Sequence, residues 1–149
     1  MTRDRPVLRW VALVAAIGLA PLAQAQVAIS EAWVRGTVEG QTSTVAYMKL
    51  KSDVGARLVA VSTPLAARCS VHEMTMEGNL MRMRAVAALR IPAGGAVELE
   101  EGRQHLMLEG LKRPLKGGET VPLTLQFVDA KGNGQTVKVQ AAVRALGAH

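Results

Sequence analysis

Short runs in which apolar and polar residues alternate, each closed by turn residues, constrain the fold of this chain more than any other feature. In the run 44–51, Ala46, Met48 and Leu50 fall on one face of a strand. Further alternating or extended runs occupy 58–61, 67–76, 80–86, 97–100, 104–108, 121–128 and 136–143. Apolar residues do not recur every three or four positions over any long window, so no long amphipathic helix is expected. Regularly spaced short strands predict a single all-β domain built as a sandwich.

The N-terminal segment has the pattern of a secretory signal peptide. Arg3, Arg5 and Arg9 precede the apolar run 11–20, and Ala23-Gln24-Ala25 supplies the small residues of a cleavage site. A membrane anchor is disfavoured, because a spanning helix needs about 20 apolar residues.

Cleavage at this site would leave a signal peptide at 1–25 and one exported domain at 26–149. A lipid anchor is not expected, because no Cys lies near the cleavage site. Beyond residue 25 no stretch is long and apolar enough to cross a bilayer, so no stable membrane insertion is expected after cleavage. We therefore predict a soluble domain outside the cytoplasm.

The charge pattern argues against a nucleic-acid partner. Without residues 1–25 the net charge falls from +6 to +4, with 15 basic and 11 acidic residues. The basic residues are scattered, and aromatic residues make up only 3% of the chain. A groove for single-stranded nucleic acid would need basic and aromatic side chains interleaved. The charges are better explained as solvated strand faces and loops.

Cys69 is the single cysteine, so the domain has no internal disulfide and depends on packing alone. It alternates with Val71 onto one face of its run. A buried and inert thiol is the favoured interpretation, and a reactive thiol is the minority one.

Thioether and imidazole side chains are concentrated in two places. Four methionines fall within ten residues, namely Met74, Met76, Met81 and Met83. His72 precedes them on the same strand face, and a turn at Gly78-Asn79 would bring the two rows side by side. The second place is His105-Leu106-Met107, where the imidazole and the thioether share a face and Leu106 points into the core.

Methionine is a common filler of hydrophobic cores, and that explanation suffices for Met48. It suits the hairpin poorly, because charged residues are interleaved with its methionines: Glu73, Glu77, Arg82 and Arg84. A hairpin of this composition lies at the surface, and clustered exposed methionine there indicates a function.

Copper is the metal that this donor set favours. Cu(I) is a soft ion that suits thioether sulfur and imidazole, whereas zinc prefers thiolate, imidazole and carboxylate. Calcium and magnesium take oxygen ligands. Uncharged donors also favour a monocation over a dication, and methionine escapes the disulfide formation that threatens cysteine outside the cytoplasm.

The spacing His72-x10-Met83-x21-His105-x-Met107 resembles the signature of the PCu(A)C-type periplasmic copper chaperones. Neighbouring segments agree with that family, among them Ile91-Pro92-Ala93-Gly94-Gly95 and Gly118-Glu119-Thr120-Val121-Pro122-Leu123. The resemblance extends over about 28–143.

The resemblance implies a cupredoxin-like Greek-key β-sandwich with one surface Cu(I) site. It implies four metal ligands: His72, Met83, His105 and Met107. It also implies delivery of copper to a cuproenzyme, such as the dinuclear copper centre of cytochrome c oxidase. The partner would be an oxidase subunit or another copper carrier, in the periplasm.

Three methionines lie outside the signature, namely Met74, Met76 and Met81. We expect them to form an apolar rim, although a role as alternative ligands stays open. Some members carry a C-terminal extension rich in His and Met. This sequence offers only His149 there, so no second site is expected in its tail.

Three alternative functions make different demands on the sequence. An electron-transfer cupredoxin needs a Cys thiolate beside two His and a weak axial Met, and Cys69 is predicted to point away from His72. A metal-free adhesion or scaffold sandwich would leave the His and Met pattern unexplained. An enzyme is disfavoured, because no set of nucleophile, base and orienting group is recognisable.

Overall fold

The computed structural model describes residues 27–148, which form ten strands and no helix. The strands are β1 (Val27–Arg35), β2 (Ser43–Ser52), β3 (Ala56–Ser62), β4 (Ala66–Glu77), β5 (Leu80–Val86), β6 (Leu89–Ile91), β7 (Gly95–Leu99), β8 (His105–Leu111), β9 (Thr120–Val128) and β10 (Gly134–Arg144). The predicted signal peptide at 1–25 lies outside the described residues. Within them there is no helix of the length and apolarity that crossing a membrane requires.

The strands form one hydrogen-bonded path in the order β5-β4-β8-β2-β1-β10-β9-β3-β6, and β7 pairs with β2 beside it. Strand β2 serves two neighbours, because its first half pairs with β8 and its second half with β7. Strands β1 and β10 run parallel, whereas the other pairs are antiparallel. Strands from both halves of the path contribute to one apolar core, so the sheet folds over on itself.

Alternation along the strands fills that core. Ala46, Met48 and Leu50 are all buried, as the period of two predicts. Leu106 and Leu108 are fully buried on the inner face of β8. Each buried leucine contributes about 1.5–3 kcal/mol relative to an exposed one. Because Leu106 and Leu108 face the core, His105 and Met107 lie on the face of β8 that is turned away from the core.

Several strand limits differ from the prediction. The segment between the runs 80–86 and 97–100 carries no predicted strand, but Leu89–Ile91 forms β6 and pairs with β3. Strand β8 runs on to Leu111, because β2 and β4 both continue to pair with it. The connection between the predicted runs 121–128 and 136–143 is shorter in the structure, since β10 begins at Gly134.

The β4–β5 hairpin closes at the predicted turn. Glu77 pairs with Leu80, which leaves Gly78 and Asn79 as the two loop residues. Gly78 has a φ of 62°, and a glycine with positive φ at the first loop position is typical of a type II′ turn. The twist of such a turn suits two strands in close register, so the hairpin keeps its side chains in facing pairs.

Candidate metal centre

Three neighbouring strands, β5, β4 and β8, bring the four predicted ligands to one face of the sheet. His72 on β4 lies directly opposite His105 on β8, and Met107 lies opposite Ser70. On the other side of β4, Met83 lies opposite Met74, two residues from His72. Because residues two apart share a face, the two imidazoles and two thioethers occupy one patch.

The side chains converge across the middle strand. The rings of His72 and His105 are stacked with their centroids 5.8 Å apart. The Sδ atom of Met83 lies 3.2 Å from Nε2 of His105. Their strands are two steps apart in the sheet, about 9–10 Å, so the thioether reaches over β4 to cover the imidazole. His105 is buried as a result, whereas Met83 remains half exposed.

A backbone carbonyl orients the ring of His105. Nδ1 lies 3.1 Å from the carbonyl oxygen of Arg103. A carbonyl can only accept, so Nδ1 carries the proton and donates it. In the neutral ring Nε2 is then unprotonated and directs its lone pair at the Met83 sulfur. Two electron-pair donors that face each other without a proton between them are the arrangement that a bound cation requires.

His72 has one satisfied and one unsatisfied nitrogen. Its Nε2 lies 2.8 Å from the Ser70 hydroxyl oxygen. Its Nδ1 is buried and has no hydrogen-bond partner. An unpaired buried polar atom costs free energy, and a metal ion is one means of satisfying it. Burial, followed by repulsion from the nearby His105, lowers the pKa of His72 and favours the neutral ring that can bind a metal.

The donor face carries an ion pair between Arg68 and Glu109, which is the next facing pair after Ser70 and Met107. The charged residues of the β4–β5 hairpin itself lie on the reverse face. Glu73 pairs there with Arg84 at 2.6 Å, and Glu77 pairs with Arg82 at 2.8 Å. Two imidazoles and two thioethers therefore form a neutral donor set, which suits a soft monocation.

Cys69 belongs to the other side of the sheet. It lies opposite Leu108 and packs against the core. Burial raises the pKa of its thiol to about 11, in spite of a backbone hydrogen bond from Thr63. The thiolate ligand of an electron-transfer copper site is consequently not available on the face that carries His72.

The remaining methionines divide as follows. Met48 is buried in the core, as predicted. Met76 and Met81 lie opposite each other at the exposed end of the hairpin, and Met74 is half-buried between them and His72.

Sequence reasoning missed two groups that orient the imidazoles, the Ser70 hydroxyl and the Arg103 carbonyl. Ser70 could have been found, because it stands two residues before His72 on the same face. The carbonyl carries no sequence signal. The assignment of the four side chains as ligands stays a prediction.

The chain is similar to a protein family, to a relative within it and to solved structures. Residues 27–143 match the family described as "Putative lipoprotein LpqE-like". The "Putative lipoprotein Lxx21020" of Leifsonia xyli subsp. xyli is 33% identical over 115 residues, which cover 76% of this chain and 69% of that protein.

Two solved structures are also similar. The solution structure of CuI-DR1885 from Deinococcus radiodurans is 38% identical, covers 82% of this chain and 81% of its own, and has a TM-score of 0.61. The copper-bound PCuAC domain from PmoF2 is 24% identical, covers 80% of this chain and 92% of its own, and has a TM-score of 0.65. The second likeness concerns the fold alone. Together they confirm the predicted cupredoxin-like Greek-key β-sandwich, and they confirm the resemblance to PCu(A)C-type proteins at the level of the domain.

Proposed function

Since this chain belongs to the LpqE-like family, we propose that it is an exported copper carrier that holds one Cu(I) ion through His72, Met83, His105 and Met107. The approach of Met83 Sδ to Nε2 of His105, at 3.2 Å, is the observation that carries the proposal. The buried Nδ1 of His72, which has no hydrogen-bond partner, supports it, because a bound metal ion would satisfy that nitrogen.

The similarity to CuI-DR1885 supports the choice of metal. That protein is 38% identical to this chain and, by its name, binds Cu(I). The donor set agrees independently, because zinc and the alkaline-earth ions would call for thiolate or oxygen ligands.

The arrangement of the ligands suits transfer by ligand exchange. Met83 is 47% exposed, whereas His105 is 6% exposed. An acceptor can therefore displace the Met83 thioether first and the imidazole of His105 last. Each step replaces one ligand of this protein by one ligand of the acceptor, so no large unfolding is needed. Such a carrier performs no chemical conversion, and we propose no enzymatic activity.

We further propose where the protein acts and which protein receives its copper. Export by the signal peptide at 1–25 would place the domain in the periplasm. The acceptor would be a cuproenzyme such as the dinuclear copper centre of cytochrome c oxidase, reached directly or through another copper carrier. The lipoprotein names of the family and of its Leifsonia member agree with export.

Anaerobic titration of the intact protein with Cu(I), in competition with a Cu(I) chelator, tests the ligand assignment. We expect one tightly bound equivalent, with a large loss of affinity in Met83→Leu and in His105→Ala. Cys69→Ser and Met48→Leu are matched controls that should keep the affinity, since neither side chain lies in the patch. Equal affinity in Met83→Leu, His105→Ala and the unchanged protein would refute the proposed function.

A further inference from the structure

Three thioethers outside the proposed ligand set continue the same face toward the end of the hairpin. Met76 lies directly opposite Met81, and the next pair along the face is Met74 with Met83. The two facing pairs lead from the turn at Gly78-Asn79 to the imidazole cluster. We refer to these four methionines as the methionine ladder.

The outer pair of the ladder is poorly explained by packing. Met76 is 60% exposed and Met81 is 55% exposed, so neither belongs to the core. Salt bridges hold the charged residues of the hairpin on its reverse face. Two uncharged sulfur donors are thus exposed to solvent side by side. They lie near the turn of the hairpin, on the same face as the proposed site.

Facing pairs in an antiparallel ladder have the reach to share one ion. Directly opposite residues have Cβ atoms about 4.5–5.5 Å apart, and methionine has three rotatable bonds with which to turn its sulfur toward a common point. Met74 is half-buried between the outer pair and His72. It lies two residues from Met76 on β4 and directly opposite Met83 on β5, so each methionine of the ladder has another as its neighbour on this face.

We propose that Met76 and Met81 form a second, weaker Cu(I) site, from which the ion passes through Met74 to Met83 and the two imidazoles. This inference rests on the proposed function. Each step along the ladder breaks one copper–sulfur bond and forms another, and at its inner end the bond to Met74 is replaced by bonds to the two imidazoles and to Met107. The copper stays Cu(I) throughout, so neither an oxidant nor a reductant is consumed. Two thioethers bind more weakly than two thioethers with two imidazoles, and that difference drives the ion inward.

The alternative is an apolar rim that only contacts the acceptor protein. Leucine would serve a rim as well as methionine does, and Leu80 at the turn is itself 63% exposed. The facing register matters for a shared ion but not for a rim. Replacement of the two outer methionines by leucine therefore separates the two roles, because it removes the sulfur and keeps the apolar surface.

The test uses the intact protein labelled with ¹³C at the methionine methyl groups and titrated anaerobically with Cu(I). The first equivalent should shift the methyl signals of Met83 and Met107. Further Cu(I) should shift those of Met76 and Met81, while buried Met48 stays unchanged as an internal reference. In the double variant Met76→Leu with Met81→Leu, the first equivalent should bind as before, and the weaker binding should be lost.

The two proposals fail in different ways. If the first equivalent leaves the methyl signals of Met83 and Met107 unperturbed, the proposed function itself is wrong. If the first equivalent binds as expected, but the Met76 and Met81 signals never respond to excess Cu(I), the ladder is overturned. Unchanged stoichiometry and an unchanged rate of Cu(I) uptake in the double variant would also overturn it, in favour of the rim.

Discussion

The imidazole of His105 owes its orientation to a backbone carbonyl, and that of His72 to a hydroxyl. Partners of this kind set which nitrogen of a ligating histidine carries the proton and which presents its lone pair. In this protein they engage Nδ1 of His105 and Nε2 of His72, so that Nε2 of His105 faces the Met83 sulfur and Nδ1 of His72 has no hydrogen-bond partner. Two groups outside the proposed ligand set thus orient two of the proposed ligand side chains.

Ser70→Ala should weaken Cu(I) binding by about 10–100-fold, the usual cost of removing a group that orients a metal ligand. The loss arises because Nε2 of His72 gives up its 2.8 Å partner and the ring becomes free to rotate. Competition with a Cu(I) chelator measures the change. Ser70→Thr keeps a hydroxyl and should retain most of the affinity. Equal affinities in the Ala and Thr variants would show that the hydroxyl does not position the ring.

The free energy of unfolding of the metal-free protein should fall as the pH drops below about 6.5, the ordinary pKa of a histidine in an unfolded chain. Burial, and secondly repulsion from His105, lowers the pKa of His72 in the folded state, and the attraction of Glu109 offsets only part of this. Between the two pKa values the unfolded chain binds a proton that the folded protein does not, so acid favours unfolding.

Urea denaturation of the unchanged protein and of His72→Gln, followed across this pH range, measures the effect. The difference in stability between the two should shift in favour of the variant at the acid end. Parallel pH profiles would show that His72 does not titrate differently in the folded and unfolded states.

At the scale of the element, the β4–β5 hairpin is the part that the sequence predicts best. The limits of β5 and the turn at Gly78-Asn79 agree with the alternation and the turn signal. The alternation of residues does not predict that β8 is the strand that pairs with the other edge of β4. The pairing of His72 with His105 joins residues 33 positions apart in sequence, and it depends on the burial of Leu106 behind β8.

Gly78→Ala should destabilise the protein by about 1–2 kcal/mol, the cost of placing an L-residue at a positive φ. The φ of Gly78 is 62° and no atom lies within 4 Å of an added Cβ, so the cost is conformational. Because this turn sets the register of Met83 against Met74, Cu(I) affinity should fall as well. Denaturant unfolding and chelator competition measure the two effects.

Gly132→Ala provides the matched control for that variant. Gly132 closes the β9–β10 hairpin with a φ of 85° and equally open surroundings. It should lose similar stability while Cu(I) affinity is kept, because neither strand of its hairpin carries a proposed ligand. If both variants lose affinity alike, the effect reflects general destabilisation rather than the register of the hairpin.

For the whole molecule, the all-β class and the single domain follow from the period of two and the spacing of the turns. The period of two does not predict strand β1, because the register of its pairing with β2 shifts between Ser30 and Trp33, where Glu31 has a φ of 53°. Such a bulge reverses the alternation within one strand and hides it from a search for a fixed period. Strand β6 has three residues, too few to show any period.

The proposed metal site depends on the order of β5, β4 and β8 in the sheet, which the local sequence pattern does not predict. Met83 reaches His105 because β4 is sandwiched between their strands in one sheet. The sequence indicates which side chains have the right chemistry, and the resemblance selects four of them. The path of the sheet determines that those four lie on one face, with Cys69 on the other.

X-ray absorption at the copper edge of the intact protein, loaded with one equivalent of Cu(I), tests the central claim most directly. We predict a first coordination shell of two nitrogen and two sulfur scatterers, with one sulfur lost in Met83→Leu and no change in Cys69→Ser. A shell of nitrogen and oxygen alone, or one that loses its sulfur in Cys69→Ser, would contradict the account.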